Sequence, residues 1–200
     1  MKNRLYLVLG VLLVAGAVAG LWWWTSWEPV YEGKPLSYWI APGGPMDYES
    51  PLPPTLVNDS NAIPFLIAAL KRRDGSFEQS YVSFYVNMSD LFGVRRHLPV
   101  PYRNARIRFN SLCLLNRMEA VAKPAIPAIV RLIRQERIPS VRVEAAKALG
   151  QFGGGDTAVI AALNEALRDR DFGVRSTATN SLLKLDPEAA AKAGVKKPSP

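Results

Sequence analysis

Three arginines recur at equivalent places in the second half of the chain and offer the clearest chemistry in the sequence. Each follows the first apolar position of a repeated pattern by one residue, and they are Arg108, Arg142 and Arg175. A guanidinium presents its N–H groups as a planar fork that fits a carboxylate. Their recurrence at equivalent places therefore predicts a structural role in the repeat, in which each arginine binds a carboxylate.

A second set of basic residues is predicted to bind a partner. Its members lie on predicted helices or in a basic cluster before them, and they are Arg131, Arg134, Arg168, Arg95 and Arg96. Residues 101–200 carry 17 basic and nine acidic side chains, whereas residues 1–100 carry eight of each. The excess of positive charge favours an acidic partner, an anionic lipid surface or nucleic acid. The alternative is a solvated helical surface that has no specific ligand.

No group of residues has the spacing of a catalytic or metal-binding centre. His97 is the sole histidine, and no serine or cysteine near it belongs to a recognisable nucleophile motif. The glycines at 153–155 lack the Gly-Lys-Ser/Thr ending of a phosphate-binding loop, and Asp169 and Asp171 lack the glycine-turned loop of a calcium site. Cys113 is the only cysteine, so it cannot form an internal disulfide. We therefore predict no catalytic residue, no cofactor and no bound metal.

The elements that must position these side chains are helices that repeat every 33 to 34 residues. Five apolar positions keep the same internal spacing in three copies, which begin at Ile107, Val141 and Val174. Spacings of i, i+4, i+7, i+8 and i+11 place side chains on one face of an α-helix. The pattern predicts helices at 104–118, 125–136, 140–152, 157–168 and 173–185. An earlier helix begins near Asn61 and ends at the basic run 71–73, where cations interact favourably with the helix dipole.

The segments 141–150 and 174–182, together with the Ala-Ile-Pro openings at Ala62 and Ala125, resemble HEAT repeats. They are most similar to the short bacterial HEAT-like kind that is also found in phycobilin lyases. The resemblance covers about residues 61–186, and the segment 74–102 falls outside it. It implies an all-α fold, a short α-solenoid of HEAT-like helix pairs, in which the second helix of each pair lines a concave wall. It also implies that the recurring arginines pair with acidic residues of the turns, Glu136 with Arg142 and either Asp169 or Asp171 with Arg175. We expect such pairs to fix how one unit stacks on the next.

The N-terminal residues have the composition of a membrane-spanning helix. Residues 5–24 contain no charged side chain, and Lys2 and Arg4 precede them. That length matches the hydrocarbon core, and a basic start predicts a cytoplasmic N-terminus. An aromatic belt at the outer interface is predicted to consist of Trp22, Trp23, Trp24 and Trp27. We therefore expect a single-pass membrane protein whose repeat domain is periplasmic or extracellular, and the alternative is secretion after cleavage of a signal peptide.

The sequence is predicted to divide into four parts. Residues 1–27 form the signal anchor, a single transmembrane helix, and residues 28–60 form a linker with a short helix near 35–40. The repeat domain covers 61–187 and contains an insertion at 74–102. Residues 188–200 are rich in alanine, lysine and proline and are predicted to be a disordered tail.

Together these features predict a membrane-anchored, extracytoplasmic HEAT-repeat scaffold that binds another protein and is not an enzyme. The expected partner is an envelope protein or peptide, and the positive charge favours an acidic one. One alternative is a basic HEAT module that binds nucleic acid, which the predicted location disfavours. The other is a lyase-like or chaperone-like protein that acts on a cofactor-bearing partner. The sequence leaves the oligomeric state open.

Overall fold

A computed structural model describes residues 16, 28–48, 51–75, 103–154 and 156–195. A short antiparallel ladder joins β1 (Val30–Tyr31) to β2 (Lys34–Pro35), and the other regular elements described are helical. The α-helices are α1 (Leu36–Ile40), α2 (Pro54–Val57), α3 (Ile63–Leu70), α4 (Arg103–Met118), α5 (Ile126–Gln135), α6 (Pro139–Phe152), α7 (Thr157–Ala166), α8 (Phe172–Leu185) and α9 (Pro187–Lys192). Single 3-10 turns lie at Pro45–Tyr48 and Ser60–Ala62, and a longer one at Glu119–Ala125 joins α4 to α5.

The prediction of an all-α fold is confirmed for the part of the chain that the structure describes, apart from the two-residue ladder. The helices predicted from the repeated pattern correspond to α4 through α8, with ends that agree within two residues. Their apolar template positions are buried, as Val141, Ala145 and Leu149 show at 1% exposure or less. A 3.6-residue period therefore located the faces that pack together.

The helices form two rows of neighbours. In the first-helix row, α4 packs against α6 and α6 packs against α8. In the second-helix row, α3 packs against α5 and α5 packs against α7. Each helix also contacts the other row, as α7 does with α8, so the apolar faces of both rows share one core. This arrangement of stacked helix pairs is the one that defines an α-solenoid.

Small side chains bring α6 and α8 into close contact. Ala145, Ala148 and Ala178 are fully buried along this seam. A Cβ atom added at Gly150 would lie 2.3 Å from Ser181 Oγ and 2.9 Å from Ser181 Cα. The Ser181 hydroxyl donates a hydrogen bond of 2.9 Å to the Ala146 carbonyl across the seam. The first-helix row is therefore packed at backbone distance, where there is no room for a larger residue.

The segment 28–60, which the sequence predicts to be a linker, packs against the first-helix row. Helix α1 contacts α4, and Trp39 on α1 is 5% exposed. Asn110 of α4 donates from Nδ2 to the carbonyls of Ile40 and Ala41 at 3.3 and 3.2 Å. Leu56 of α2 is fully buried. These contacts cover the side of α4 with apolar residues that belong to no repeat.

The C-terminal end is more ordered than the sequence predicts. Asp186 accepts a hydrogen bond of 2.8 Å from the Ala189 amide and so caps α9, and Ala190 is fully buried. An acceptor at the N-cap satisfies an amide that would otherwise lack a partner. The predicted tail thus begins with a helix that packs on α8, while residues 196–200 lie outside the described part.

The predicted membrane localisation is wrong, because no helix among the described residues is long and apolar enough to cross a bilayer. The longest, α4, has 16 residues, four of them arginines, and reaches about 24 Å at about 1.5 Å per residue, less than a hydrocarbon core of about 30 Å. The predicted span 5–24 lies outside the described residues except for residue 16. The same holds for the predicted belt of Trp22, Trp23, Trp24 and Trp27.

Candidate functional site

Arg108 of α4 is buried between two turns and is saturated with acceptors. Its Nε and Nη2 atoms donate to the Glu136 carboxylate at 2.6 and 3.2 Å. Nη1 and Nη2 donate to the two carboxylate oxygens of Asp74 at 3.2 and 2.9 Å, and Nη1 also reaches the Arg72 carbonyl at 2.7 Å. The side chains of Arg108 and Glu136 are 4% and 3% exposed. This guanidinium therefore joins the turn after α3 to the turn after α5.

Arg142 of α6 repeats the arrangement one unit further along. Nε and Nη2 donate to the two carboxylate oxygens of Asp169 at 2.8 and 2.7 Å. Nη1 donates to the carbonyls of Glu136 and Arg137 at 3.2 and 2.9 Å. A bidentate arginine–carboxylate pair fixes both distance and orientation. Arg142 therefore joins the turn after α5 to the turn after α7.

Arg175 of α8 makes only half of this set of contacts. Its Nη1 atom donates to the carbonyls of Asp169 and Arg170 at 2.8 and 3.0 Å. Its guanidinium carbon also lies 5.7 Å from the centre of the exposed Phe172 ring. No carboxylate among the described residues pairs with it. We call the three residues Arg108, Arg142 and Arg175, with their acceptors, the arginine ladder.

The pairing within the arginine ladder differs from the predicted one by one unit. Each arginine binds carbonyls of the turn before its own helix, so its remaining N–H groups point to the following turn. Glu136 consequently pairs with Arg108, and Asp169 pairs with Arg142. Asp171 instead accepts from the Val174 amide at 3.1 Å and caps α8. The interval along the chain could not show which unit supplies each acid.

The charges of the ladder stabilise one another. Burial alone lowers the pKa of the Arg108 guanidinium, but hydrogen bonds to Asp74 and Glu136 outweigh that effect and raise the pKa. Burial alone raises the pKa of the Asp169 carboxyl, but Arg142 and the Asp171 amide outweigh it and lower the pKa. A lowered carboxyl pKa stabilises the fold at neutral pH, and that contribution is lost as the pH falls through the folded-state value. These groups already have partners and hold the turns together.

The exposed sides of α3, α5 and α7 form a second surface, which we call the second-helix wall. Arg134 lies here on α5 and donates from Nε and Nη2 to Glu165 of α7 at 2.8 and 2.9 Å. The two side chains are 42% and 58% exposed. Arg131 and Arg168 are exposed as well and form no ion pair within the described part of the chain. Arg95 and Arg96 lie outside the described residues.

A cleft of about 470 Å³ opens in the second-helix wall between α3 and α5. Its positively charged lining consists of Lys71, Arg72, Arg73, Arg131, Arg137 and the ladder residue Arg108. Its acidic lining residues, Asp74 and Glu136, both pair with Arg108. The structure thus brings the predicted Arg131 together with the basic run 71–73, for which only an interaction with the helix dipole was predicted. Three adjacent cations are the sequence feature from which a basic cleft could have been predicted.

The remaining sequence candidates show no reactive arrangement in the described residues. Burial raises the pKa of the Cys113 thiol to about 12, with a smaller contribution from Glu144, so the thiol stays protonated at neutral pH. Asp156 accepts from the Ala158 amide at 2.8 Å and caps α7. No group of three or more acidic, histidine or cysteine side chains in the described residues is placed to hold a metal. His97 lies outside them.

Comparison with known proteins supports the repeat assignment. A family model described as HEAT repeats matches residues 126–193, which run from α5 past the end of α9 and make up about a third of the chain. No curated protein and no solved structure matches the chain. The match supports a HEAT-repeat protein and gives no support to an N-terminal membrane anchor.

Proposed function

We propose that this chain is a non-catalytic HEAT-repeat scaffold that binds a partner protein through the second-helix wall. HEAT repeats commonly mediate protein–protein interaction. Stacked repeats create extended surfaces of this kind, because each unit adds one exposed helix face beside the last. The observation that carries the proposal is the exposure of cations in the turn after α3 and along α5, around a cleft that no described residue fills.

The division of labour between the two charged sets supports this proposal. The ladder residues Arg108 and Arg142 are buried and paired with carboxylates of the turns that follow α5 and α7. Arg131 and Arg168 have no such partner among the described residues, and the packing of the core does not need them. Exposed charges without internal partners speed encounter with a surface of opposite sign and select against the wrong one. An acidic partner therefore fits this wall.

The proposed function includes binding of a partner protein but not the envelope partner that the sequence predicted. The envelope partner rested on the membrane localisation, which the structure contradicts. The lyase-like or chaperone-like alternative requires a reactive group in a pocket, and the carboxylates that line the cleft are both bound to Arg108. The proposal therefore names a surface and a partner class without a cellular location.

Site-specific photo-crosslinking tests the proposed surface. A photo-reactive phenylalanine analogue replaces Ala68 or Ala161, which are exposed on α3 and α7. Matched controls carry it at Lys147 or Asn180, which are exposed on α6 and α8 in the first-helix row. In cells that make the chain naturally, we expect one discrete protein adduct from both wall positions and none from the controls. Adducts of equal yield from all four positions, or adducts with nucleic acid alone, would contradict the proposal.

A further inference from the structure

The second-helix wall contains two joints whose residues correspond one to one. We call the contact of α3 with α5 the first joint and that of α5 with α7 the second joint. The Ala-Ile-Pro openings at Ala62 and Ala125 align α3 with α5, which makes Lys71 the counterpart of Arg134. The 34-residue interval aligns α5 with α7, which makes Arg131 the counterpart of Glu165. Lys71 and Arg131 at the first joint therefore correspond in sequence to Arg134 and Glu165 at the second joint.

The two joints carry opposite charge patterns at these positions. At the second joint Arg134 meets Glu165 as a bidentate pair with distances of 2.8 and 2.9 Å. At the first joint the corresponding residues are Lys71 and Arg131, both of them cations. Both are exposed, and both line the 470 Å³ cleft. The position that a carboxylate occupies at the second joint is thus taken by a guanidinium at the first.

The surroundings of the first joint strengthen this charge imbalance. The cleft is lined by six basic and two acidic side chains, an excess of four positive charges. Each of the two carboxylates, Asp74 and Glu136, accepts two hydrogen bonds from Arg108, so neither pairs with the exposed cations. Five exposed cations remain, and none of them forms an ion pair among the residues that the structure describes: Lys71, Arg72, Arg73, Arg131 and Arg137. Like charges held together in this way favour binding of an anion.

We propose that the first joint binds a carboxylate side chain from an acidic, extended segment of the partner protein. This carboxylate takes the place that Glu165 holds at the second joint, between Lys71 and Arg131. The inference rests on the proposed function, because it assumes that the second-helix wall is the binding surface. A protein carboxylate is favoured over other anions because the second joint already uses one in the equivalent position.

The spacing of the wall indicates what such a segment looks like. Packed helices lie about 8–10 Å apart, and a polyproline II segment advances about 9.3 Å for every three residues while it returns to the same face. An acidic residue at every third position therefore meets successive helices of the wall. Beyond the first joint, the exposed cation that such a segment reaches next is Arg168, in the turn directly after α7. We thus expect the partner to carry acidic residues at every third position.

The test uses a labelled peptide of about twelve residues with the repeat Glu-Pro-Pro. Its control has the repeat Gln-Pro-Pro, and binding to the full chain is measured by fluorescence anisotropy. Arg131→Glu installs at the first joint the pair that the second joint contains, so we expect about tenfold weaker peptide binding together with a higher Tm. Lys71→Glu creates the same pair in the opposite sense and is expected to weaken binding similarly.

The matched control for both variants is Arg117→Glu. Arg117 is exposed on α4, nine residues beyond Arg108, and does not line the cleft. It makes the same change in net charge as Arg131→Glu, so a loss caused by overall charge alone would appear in both. We expect peptide affinity to stay within about twofold of that of the unmodified chain. An equal loss in Arg117→Glu would overturn the proposal.

Competing anions supply the remaining outcomes. Inorganic phosphate and single-stranded oligothymidine are added as competitors, each at the same total concentration of negative charge. We expect neither to displace the Glu-Pro-Pro peptide, and displacement by either would overturn the assignment to a protein carboxylate. The chain's own Glu78 and Asp90 follow the cleft in sequence, so peptide binding that appears only in Glu78→Gln/Asp90→Asn would assign the site to the chain itself and overturn the proposal.

The two proposals fail in different ways. Absence of peptide binding, with protein adducts still formed from positions 68 and 161, overturns the carboxylate site and leaves the scaffold function standing. Absence of those adducts overturns the scaffold function itself.

Discussion

The two rows of helices use the same repeat for different purposes. In the first-helix row, small buried residues such as Gly150 and Ser181 bring α6 and α8 together, and the arginine ladder joins the turns. In the second-helix row, the only ion pair between helices of the described wall is Arg134 with Glu165, and it is exposed. The difference shows that buried contacts between units concentrate on one side of the array, whereas exposed charges concentrate on the other, where we propose that the partner binds. Charge can therefore vary on the wall without loss of the fold.

Loss of Arg108 is expected to have the largest effect on this comparison. Arg108→Met leaves the Glu136 carboxylate, which is 3% exposed, without its guanidinium. Removal of one partner from a buried ion pair costs about 3–5 kcal/mol. We expect that decrease in the free energy of unfolding, measured by urea denaturation.

The double variant Arg108→Met/Glu136→Gln is the control for that measurement. Glutamine carries no charge, and its carbonyl oxygen can still accept from the Arg137 and Ile138 amides, which bond Glu136 at 2.8 and 2.9 Å. We expect the double variant to be more stable than Arg108→Met alone. A cost for Arg108→Met no larger than that of a wall arginine would remove the distinction between the two rows.

Gly150→Ala tests the close packing of the first-helix row and is expected to have an intermediate effect. The new Cβ meets Ser181 Oγ at 2.3 Å and Ser181 Cα at 2.9 Å, so the backbones must move apart. Overpacking of this kind costs about 1–3 kcal/mol, which exceeds the gain of up to about 1 kcal/mol in helix propensity. Thermal unfolding measures the loss.

Two further variants sharpen the Gly150 test. Gly150→Ala/Ser181→Gly removes the clashing side chain from α8 and is expected to recover part of the lost Tm. Gly154→Ala adds a Cβ whose nearest neighbour is Leu185 Cδ2 at 3.7 Å, an ordinary contact, and is expected to change little. Equal losses for Gly150→Ala and Gly154→Ala would argue against a close-packed seam.

Arg134→Ala is expected to have the smallest effect. Its pair with Glu165 is exposed on both sides, and such surface pairs contribute about 0.2–1 kcal/mol. We expect a loss within that range at low ionic strength, and a smaller loss in concentrated NaCl because salt screens exposed charges. A loss as large as that of Arg108→Met would show that the wall holds the repeats together as the ladder does.

The helices of the repeats were predictable because their signal is local. An apolar face at helical spacing depends on neighbouring residues, so α4 through α8 were located within two residues. The packing of 28–60 onto α4 was not predictable in the same way. Trp39 lies in a helix of five residues, and its burial depends on α4, which begins more than 60 residues later. Short segments show little periodicity, so only the tertiary contact reveals their role.

The candidate site was predictable in its residue types and less so in its partners. Arg131 and Arg134 look alike in the sequence, yet of the two only Arg134 pairs with a carboxylate of the described residues, and that carboxylate belongs to the next second helix. The ladder pairing was displaced by one unit for the same reason, since stacking decides which turn each arginine reaches. The localisation prediction relied on the composition of residues 5–24 alone, and no described helix could cross a bilayer.

Arg175 has the carbonyl acceptors of the ladder but no carboxylate within the described ranges, so the two ends of the array differ. Arg108 and Arg142 each bind backward to carbonyls and forward to an acid, whereas Arg175 binds backward only. A longer second helix placed after α8, where the short α9 packs, would register with the array if the turn after it supplied one carboxylate for Arg175. At the opposite end, the contact of α1 with α4 occupies the face on which an added pair would have to pack. This chain is therefore a template that can be lengthened from its C-terminal side, with a single acidic residue as the connector.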